Sequence, residues 1–104
     1  MNKSVEAIKE NDKVTITIIA DNYYDTVRPD PAIGTRYRSA FNRSIHAEHG
    51  LSYFIETVIN GTTSTFMFDF GLDPIGVLNN MKLLGIDIAD ANAIGLSHGH
   101  YDHW

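Results

Sequence analysis

The chain contains no cysteine, so disulfide bonds and thiolate metal ligands are both excluded. Any metal site must therefore use imidazole nitrogens and carboxylate oxygens, which zinc and similar divalent cations accept as ligands. The absence of disulfides agrees with a reducing compartment. We therefore predict a cytoplasmic protein.

Long apolar runs are also missing. No stretch approaches the roughly 20 apolar residues of a membrane span, and residues 1–13 carry scattered charges instead of the apolar block of a signal peptide. Basic residues are few, eight against 13 acidic ones, which gives a formal net charge of −5. This balance argues against a general nucleic-acid or anionic-membrane surface. We predict a small-molecule substrate, and neither nucleic acid nor a membrane as partner.

The first two thirds of the chain contain strand patterns. Alternating β-branched residues predict a strand over 14–20, and apolar runs predict two more over 51–59 and 63–68. The dipeptide Asn60-Gly61 predicts a tight hairpin between the last two, because both residues accept positive φ. Few strand positions are strictly polar. We therefore expect both faces of the sheet to be covered.

A helix is predicted to follow. Asp73 and Pro74 form a favoured helix start, and Gly85 suits a C-terminal cap. Apolar residues between them recur at helical spacing and are expected to pack on the sheet: Val77, Leu78, Met81 and Leu84. A short strand over 94–96 then completes an α/β unit, whose site should lie at the carboxyl end of that strand.

Three histidines and one aspartate come directly after the short strand, in the run His98-Gly99-His100-Tyr101-Asp102-His103. Residues two apart on an extended chain point the same way, so His98 and His100 can bind one ion. A turn after His100 would direct Asp102 and His103 to a second ion, about 3.5–4 Å from the first. The alternative is a histidine-rich loop that binds no metal, although expression tags are usually uninterrupted and do not follow an apolar strand.

This motif resembles a known signature. The run Ser97-His98-Gly99-His100-Tyr101-Asp102-His103 resembles the His-x-His-x-Asp-His pattern of the metallo-β-lactamase superfamily. The stretch Phe66-Met67-Phe68-Asp69-Phe70-Gly71 resembles the strand ending in Asp-x-Gly before that superfamily's first helix. The segments His49-Gly50-Leu51-Ser52 and Leu83-Leu84-Gly85-Ile86-Asp87 resemble its branch of dihydropterin–ribofuranosylaminobenzene phosphate synthases. The resemblance covers residues 13–104 and only the N-terminal part of the family pattern.

The resemblance implies a fold and a ligand set. The fold would be α/β, the N-terminal half of an αββα sandwich with a mixed sheet and covering helices. Residues 1–12 would be a polar lead-in, and 13–104 a partial domain truncated just after the metal motif. The site would hold two divalent metal ions, with zinc foremost and iron or manganese as alternatives. The ligands would be His98, His100, Asp102 and His103, while the family's downstream ligands would be missing from this chain.

The implied function is that of a metal-dependent hydrolase or transferase. It would use metal-bound hydroxide on an ester, lactone or phosphate-containing substrate, and Asp102 would hold an ion and orient the hydroxide or accept its proton. With four ligands the isolated chain is predicted to be incomplete, and a complementary chain or a homo-oligomer would supply the rest. The alternative is an inactive truncated metal-binding or interaction module.

Other residues have two interpretations each. Asp69, at the end of a predicted buried strand, is either a carboxylate that accepts hydrogen bonds from the metal loop and orients an imidazole, or an ordinary turn aspartate. His46 and His49 have a spacing too weak to assign to a metal. The arginines of segment 21–50 either bind a substrate phosphate or carboxylate, or pair with the chain's own carboxylates in a solvated flap: Arg28, Arg36, Arg38 and Arg43.

Overall fold

The computed structural model describes residues 10–104, so most of the predicted lead-in at 1–12 lies outside the described residues. The elements are, in chain order, β1 (Lys13–Ala20), β2 (Ser52–Ile59), β3 (Thr62–Phe68), α1 (Pro74–Leu84), a 3₁₀ helix (Ile88–Asp90) and β4 (Ala93–Gly95). This order confirms the α/β class. Within residues 10–104, no helix is both long and apolar enough to cross a membrane.

The four strands form one mixed sheet in the order β1-β2-β3-β4. The first three are antiparallel, and β4 pairs parallel to β3. Asn60 and Gly61 join β2 to β3 with φ of 50° and 78°, the backbone that the predicted hairpin requires. Because β3 and β4 run in parallel, their carboxyl ends lie at the same edge of the sheet. Residues that follow the two strands are therefore neighbours in space.

The helix α1 covers one face of the sheet. Its start is capped by the Asp73 carboxylate, which accepts from the Ile75 N–H at 3.0 Å, and Gly85 ends it at φ 72°. The core between helix and sheet is small and apolar: Ile19, Ala20, Phe54, Met67, Val77 and Met81. Leu78 does not join the predicted stripe. It follows Val77 by about 100° around the helix and is 61% exposed.

The opposite face of the sheet is not covered. Val14, Ile16 and Ile18 alternate along β1 and are each more than half exposed. The expectation of two covered faces is therefore wrong for the described residues, because their one α-helix packs against the other face. What these residues form is a single four-stranded sheet with one helix; the half sandwich with several covering helices is not shown.

A long segment, residues 21–50, connects β1 to β2 with an isolated bridge between Ala40 and Arg43 but no regular strand or helix. The fully buried side chain of Asn80 fastens it to α1. Its amide nitrogen donates to the carbonyl oxygens of Ile19 and His46 at 2.8 and 2.7 Å, and its oxygen accepts from the His46 N–H at 2.7 Å. These bonds hold the end of the connection against the molecule before β2 begins.

Candidate metal centre

The histidine loop, residues 97–103, follows β4 and lies beside the end of β3. The Asp69 N–H donates at 3.1 Å to the carbonyl oxygen of Gly95, the last residue of β4, and the Phe70 N–H donates at 2.6 Å to the carbonyl oxygen of His103, at the end of the loop. The end of β4 and the end of the loop are therefore both attached to the residues that follow β3. The parallel pairing of the two strands produces this arrangement.

Asp69 is the buried anchor of the loop, with 1% of its surface exposed. Its carboxylate accepts from the backbone N–H and the hydroxyl of Ser97, both at 2.7 Å, and from His103 Nδ1 at 2.5 Å. Its φ of 59° is uncommon for a non-glycine residue, and such conformations cluster at functional sites. This is the bonding that the supporting-carboxylate interpretation of Asp69 requires.

The pKa of Asp69 follows from these contacts. Burial alone would raise the pKa, but the hydrogen bonds from Ser97 and His103 outweigh burial and hold the pKa of this carboxyl below its usual value. An ionised carboxylate only accepts hydrogen bonds, so His103 carries its proton on Nδ1. The Nε2 atom of His103 is then available to bind a cation.

Ser97 orients a second imidazole. Its hydroxyl oxygen lies 2.8 Å from His98 Nδ1 and 3.4 Å from His103 Nδ1, besides donating to Asp69. Two of the three loop histidines thus have their Nδ1 atoms engaged by the protein. Sequence reasoning assigned Ser97 no role beyond its place in the motif. Its hydrogen bonds depend on Asp69, which is distant in the chain, so local spacing contained no signal for them.

The four predicted ligands lie together. His98, His100 and Asp102 each offer a ligand atom within 4.8 Å of the others, and His103 Nε2 lies 3.6 Å from Asp102 Oδ1. Ligand distances of about 2.0–2.2 Å place two tetrahedral ligands of one zinc ion about 3.4 Å apart. The donor set therefore fits a divalent cation. Asp102 lies near both predicted pairs, so the structure does not separate one pair of ligands from the other.

His49 is a further residue beside this group. Its Nε2 atom lies 3.3 Å from Asp102 Oδ2, although its own side chain is 77% exposed. The two residues share an open cleft of about 270 Å³, lined by Asp21, Asn22, His49, Gly50, Leu51, Asp102 and His103. Sequence reasoning did not assign His49 to the site. Its proximity to Asp102 arises from tertiary packing.

His46 and Arg38 lie in other surroundings. The His46 ring packs on Gly76 in α1, and its Nε2 is 4.0 Å from Asp73 Oδ2. Arg38 donates to the carbonyl oxygens of Thr26 and Arg28 and pairs with Asp30 at 2.7 Å, all within the 21–50 segment. For Arg38 these contacts favour the flap interpretation over phosphate binding.

No family model matches the chain. Among curated proteins it is similar to the 7,8-dihydropterin-6-methyl-4-(β-D-ribofuranosyl)-aminobenzene-5′-phosphate synthase of Methanocaldococcus jannaschii, with 38% identity over 65 residues. These residues are 62% of this chain and 22% of the relative. The chain therefore matches about a fifth of the relative's length.

This relative corrects the family expectation. It is a synthase and not a metallo-β-lactamase, so the assignment to the metallo-β-lactamase superfamily and the description as a hydrolase are wrong. The expectations of zinc and of a cytoplasmic location gain no support from it. The physical reason is that a short histidine and aspartate motif specifies donor atoms for a cation, while family and reaction depend on the remainder of the fold. The chain is similar over part of its length to a pterin synthase.

Proposed function

We propose that the histidine loop and Asp69 form part of the active site of a metal-dependent transferase. The observation that carries this proposal is the group of ligand atoms from His98, His100 and Asp102 within 4.8 Å of one another. Hydrogen bonds that reach Asp69 fix the loop, which favours a prepared site over a loose histidine-rich loop.

The proposed ligands are the four residues predicted from the motif: His98, His100, Asp102 and His103. They would hold two divalent cations, for which zinc, iron and manganese are the ions to test. A bound cation supplies positive charge that polarises a substrate oxygen or activates a water molecule. The Asp69 carboxylate keeps the His103 ring in the orientation that presents Nε2. Asp102, with 17% of its side chain exposed, faces the cleft that would receive the substrate.

The name of the relative supports a substrate class. That protein is a synthase whose product contains a 7,8-dihydropterin, a methyl group at position 6 and a ribofuranosyl-aminobenzene 5′-phosphate. We propose that this chain belongs to an enzyme acting on compounds of the same class, by transfer of a dihydropterin-methyl group to a phosphate-bearing aromatic riboside. The bond from the methyl carbon to an oxygen leaving group would break, a bond from that carbon to the riboside would form, and the proton displaced from the riboside would leave with the oxygen. The partial match makes the whole reaction a proposal for this chain.

Elemental mass spectrometry after dialysis against metal-free buffer tests the metal site. We expect the wild-type chain to retain at least about one equivalent of zinc, iron or manganese. His98→Ala and His100→Ala should each lose affinity by at least about tenfold, because each removes a ligand. His46→Ala is the matched control, since that ring packs on α1. The proposed metal site would be excluded if the wild-type chain retained no metal, or if all variants retained as much metal as the wild type.

A fluorescence titration tests the substrate class separately. The probes are 6-hydroxymethyl-7,8-dihydropterin and a 4-aminobenzene riboside 5′-phosphate, each added to the metal-loaded chain. We expect binding of at least one probe, and its loss in His98→Ala. If the chain retains metal but binds neither probe, the metal site stands and the substrate class is wrong.

The coordination also suggests a partner. Four protein ligands leave positions open on two ions, since zinc usually takes four ligands each. We propose that a complementary chain or a second copy of this chain fills some of these positions. Sedimentation with and without EDTA tests the second copy: a metal-linked assembly dissociates in EDTA, whereas an unchanged monomer in both conditions excludes it.

A further inference from the structure

The segment before β2 places one exposed histidine beside the histidine loop. His49 Nε2 lies 3.3 Å from Asp102 Oδ2, and the other oxygen of the same carboxylate, Oδ1, lies 3.6 Å from His103 Nε2. The Asp102 carboxylate therefore has an imidazole next to each oxygen. His103 is 11% exposed at its side chain and His49 is 77% exposed.

The residue before His49 is firmly held. The Glu48 N–H donates to Asp21 O at 3.0 Å. The Glu48 Oε2 atom accepts from the N–H groups of Leu72 and Asp73 at 3.2 and 2.6 Å. Glu48 thus connects the end of the 21–50 segment to the residue after β1 and to the start of α1. These bonds fix the backbone position from which the His49 side chain extends.

The residue after His49 touches Asp102 directly. A Cβ atom on Gly50 would lie 2.7 Å from the Asp102 carbonyl oxygen, 3.1 Å from Leu72 N and 3.2 Å from Gly71 Cα. All three neighbours are backbone atoms, which cannot move aside as a flexible side chain can. Glycine at this position therefore permits the close approach of the two backbones. This packing places the His49 backbone beside Asp102, and from there the exposed His49 side chain reaches the Asp102 carboxylate.

We propose that His49 is a positioning residue of the metal site. Its Nε2 atom, 3.3 Å from Asp102 Oδ2, would hold that oxygen and leave Oδ1 for the cation that His103 would also bind. Rotation about the last bond of an aspartate side chain is soft, so one hydrogen bond decides which oxygen faces the ion. Hydrogen-bond partners of metal ligands commonly change metal affinity by about 10–100-fold. This inference rests on the proposed function, because the orientation of Asp102 matters to a bound cation.

Substitution of His49 tests this role with affinity as the readout. His49→Ala removes the donor, whereas His49→Gln keeps an N–H donor at a similar distance from the backbone. In competition with a chromogenic chelator, we expect His49→Ala to bind zinc about 10–100-fold more weakly than the wild type. His49→Gln should recover most of this loss, and the matched controls His46→Ala and His46→Gln should bind as the wild type does. Equal affinity of His49→Ala and the wild type would overturn the inference.

The absorption spectrum of the cobalt-substituted chain separates positioning from direct ligation. If His49 acts through Asp102, the cobalt ligand set is unchanged and His49→Gln should have the wild-type visible spectrum. A changed spectrum in His49→Gln, with affinity as low as in His49→Ala, would mean that His49 is itself a ligand, which contradicts the positioning role.

Failure of the proposed function gives a different result. If the wild-type chain binds neither zinc nor cobalt, the metal-dependent transferase is excluded. Nitrogen-15 spectra of the imidazoles then still test whether His49 contacts Asp102 in the metal-free chain. We expect a protonated Nε2 on His49 whose signal shifts in Asp102→Asn. An identical His49 signal in both proteins would overturn the pairing itself.

Discussion

Asp69 shows how much of the candidate site depends on single side chains. It combines a left-handed backbone, almost complete burial and three accepted hydrogen bonds. Aspartate tolerates this backbone better than most residues, and its carboxylate satisfies donors from both ends of the histidine loop. A residue with these properties stabilises the protein and the loop at once.

Asp69→Asn should therefore destabilise the chain. The amide keeps the shape but loses the charge and turns one acceptor into a donor facing Ser97 or His103. We expect a loss of about 1–3 kcal/mol in the free energy of unfolding, measured by urea denaturation. Asp87→Asn is the control, because Asp87 caps the exposed 3₁₀ helix and asparagine caps equally well. Losses of similar size in both variants would contradict the special role of Asp69.

The close approach of the Gly50 and Asp102 backbones gives a second prediction at the residue scale. Gly50→Ala forces a methyl group to 2.7 Å from the Asp102 carbonyl oxygen. We expect a loss of about 1–3 kcal/mol in urea denaturation. Gly99→Ala is the matched control inside the histidine loop, since its Cβ would meet nothing within 4 Å. If Gly50→Ala is as stable as Gly99→Ala, the close backbone approach is not present in solution.

Among the elements, α1 connects the core to the long 21–50 segment. Its apolar residues Val77 and Met81 pack on the sheet, while the neighbouring Asn80 bonds to β1 and to His46. The apolar spacing and the capping residues predicted the helix and its ends. The role of Asn80 was not predictable, because a polar residue in a helix normally indicates solvent exposure and its partners here are far away in the chain.

Asn80→Ala should be costly for this reason. It removes three hydrogen bonds to backbone groups and a fourth from the Asn79 amide, and it leaves buried backbone groups without partners. We expect a loss of about 2–4 kcal/mol in denaturant unfolding. Asn79→Ala, in the exposed neighbour that donates to Ser44 O, should lose less than about 1 kcal/mol. A small effect of Asn80→Ala would mean that the segment is not fastened at this position.

Across the described sheet, a lysine substituted on the face of β1 beneath α1 should affect folding stability differently from a lysine on the uncovered face. Ile19 is 2% exposed beneath α1, whereas Ile16 is 59% exposed on the uncovered face. We expect Ile19→Lys to prevent stable folding and Ile16→Lys to change stability by less than about 0.5 kcal/mol. Circular dichroism with thermal unfolding measures both. A strong loss in Ile16→Lys would mean that this face is covered in solution.

Metal binding should also change the stability of the whole chain. A cation that binds only the folded state stabilises it by about 2.7 kcal/mol at 100 times its dissociation constant. We expect the midpoint temperature of thermal unfolding to rise with added zinc and to return to its starting value with EDTA. In His98→Ala, added zinc should leave this temperature unchanged. An equal shift in that variant would place the binding elsewhere.

The sequence by itself determined the strands, the helix with its caps, the tight hairpin and the donor atoms of the histidine loop. These features depend on neighbouring residues and on local backbone preferences, which a single stretch of sequence contains. The tertiary structure alone decided which sheet face is covered, that Asp69 bonds to Ser97 and His103, and that His49 lies beside Asp102. Those contacts join residues far apart in the chain, and the parallel pairing of β3 with β4 and the anchoring of segment 21–50 bring them together.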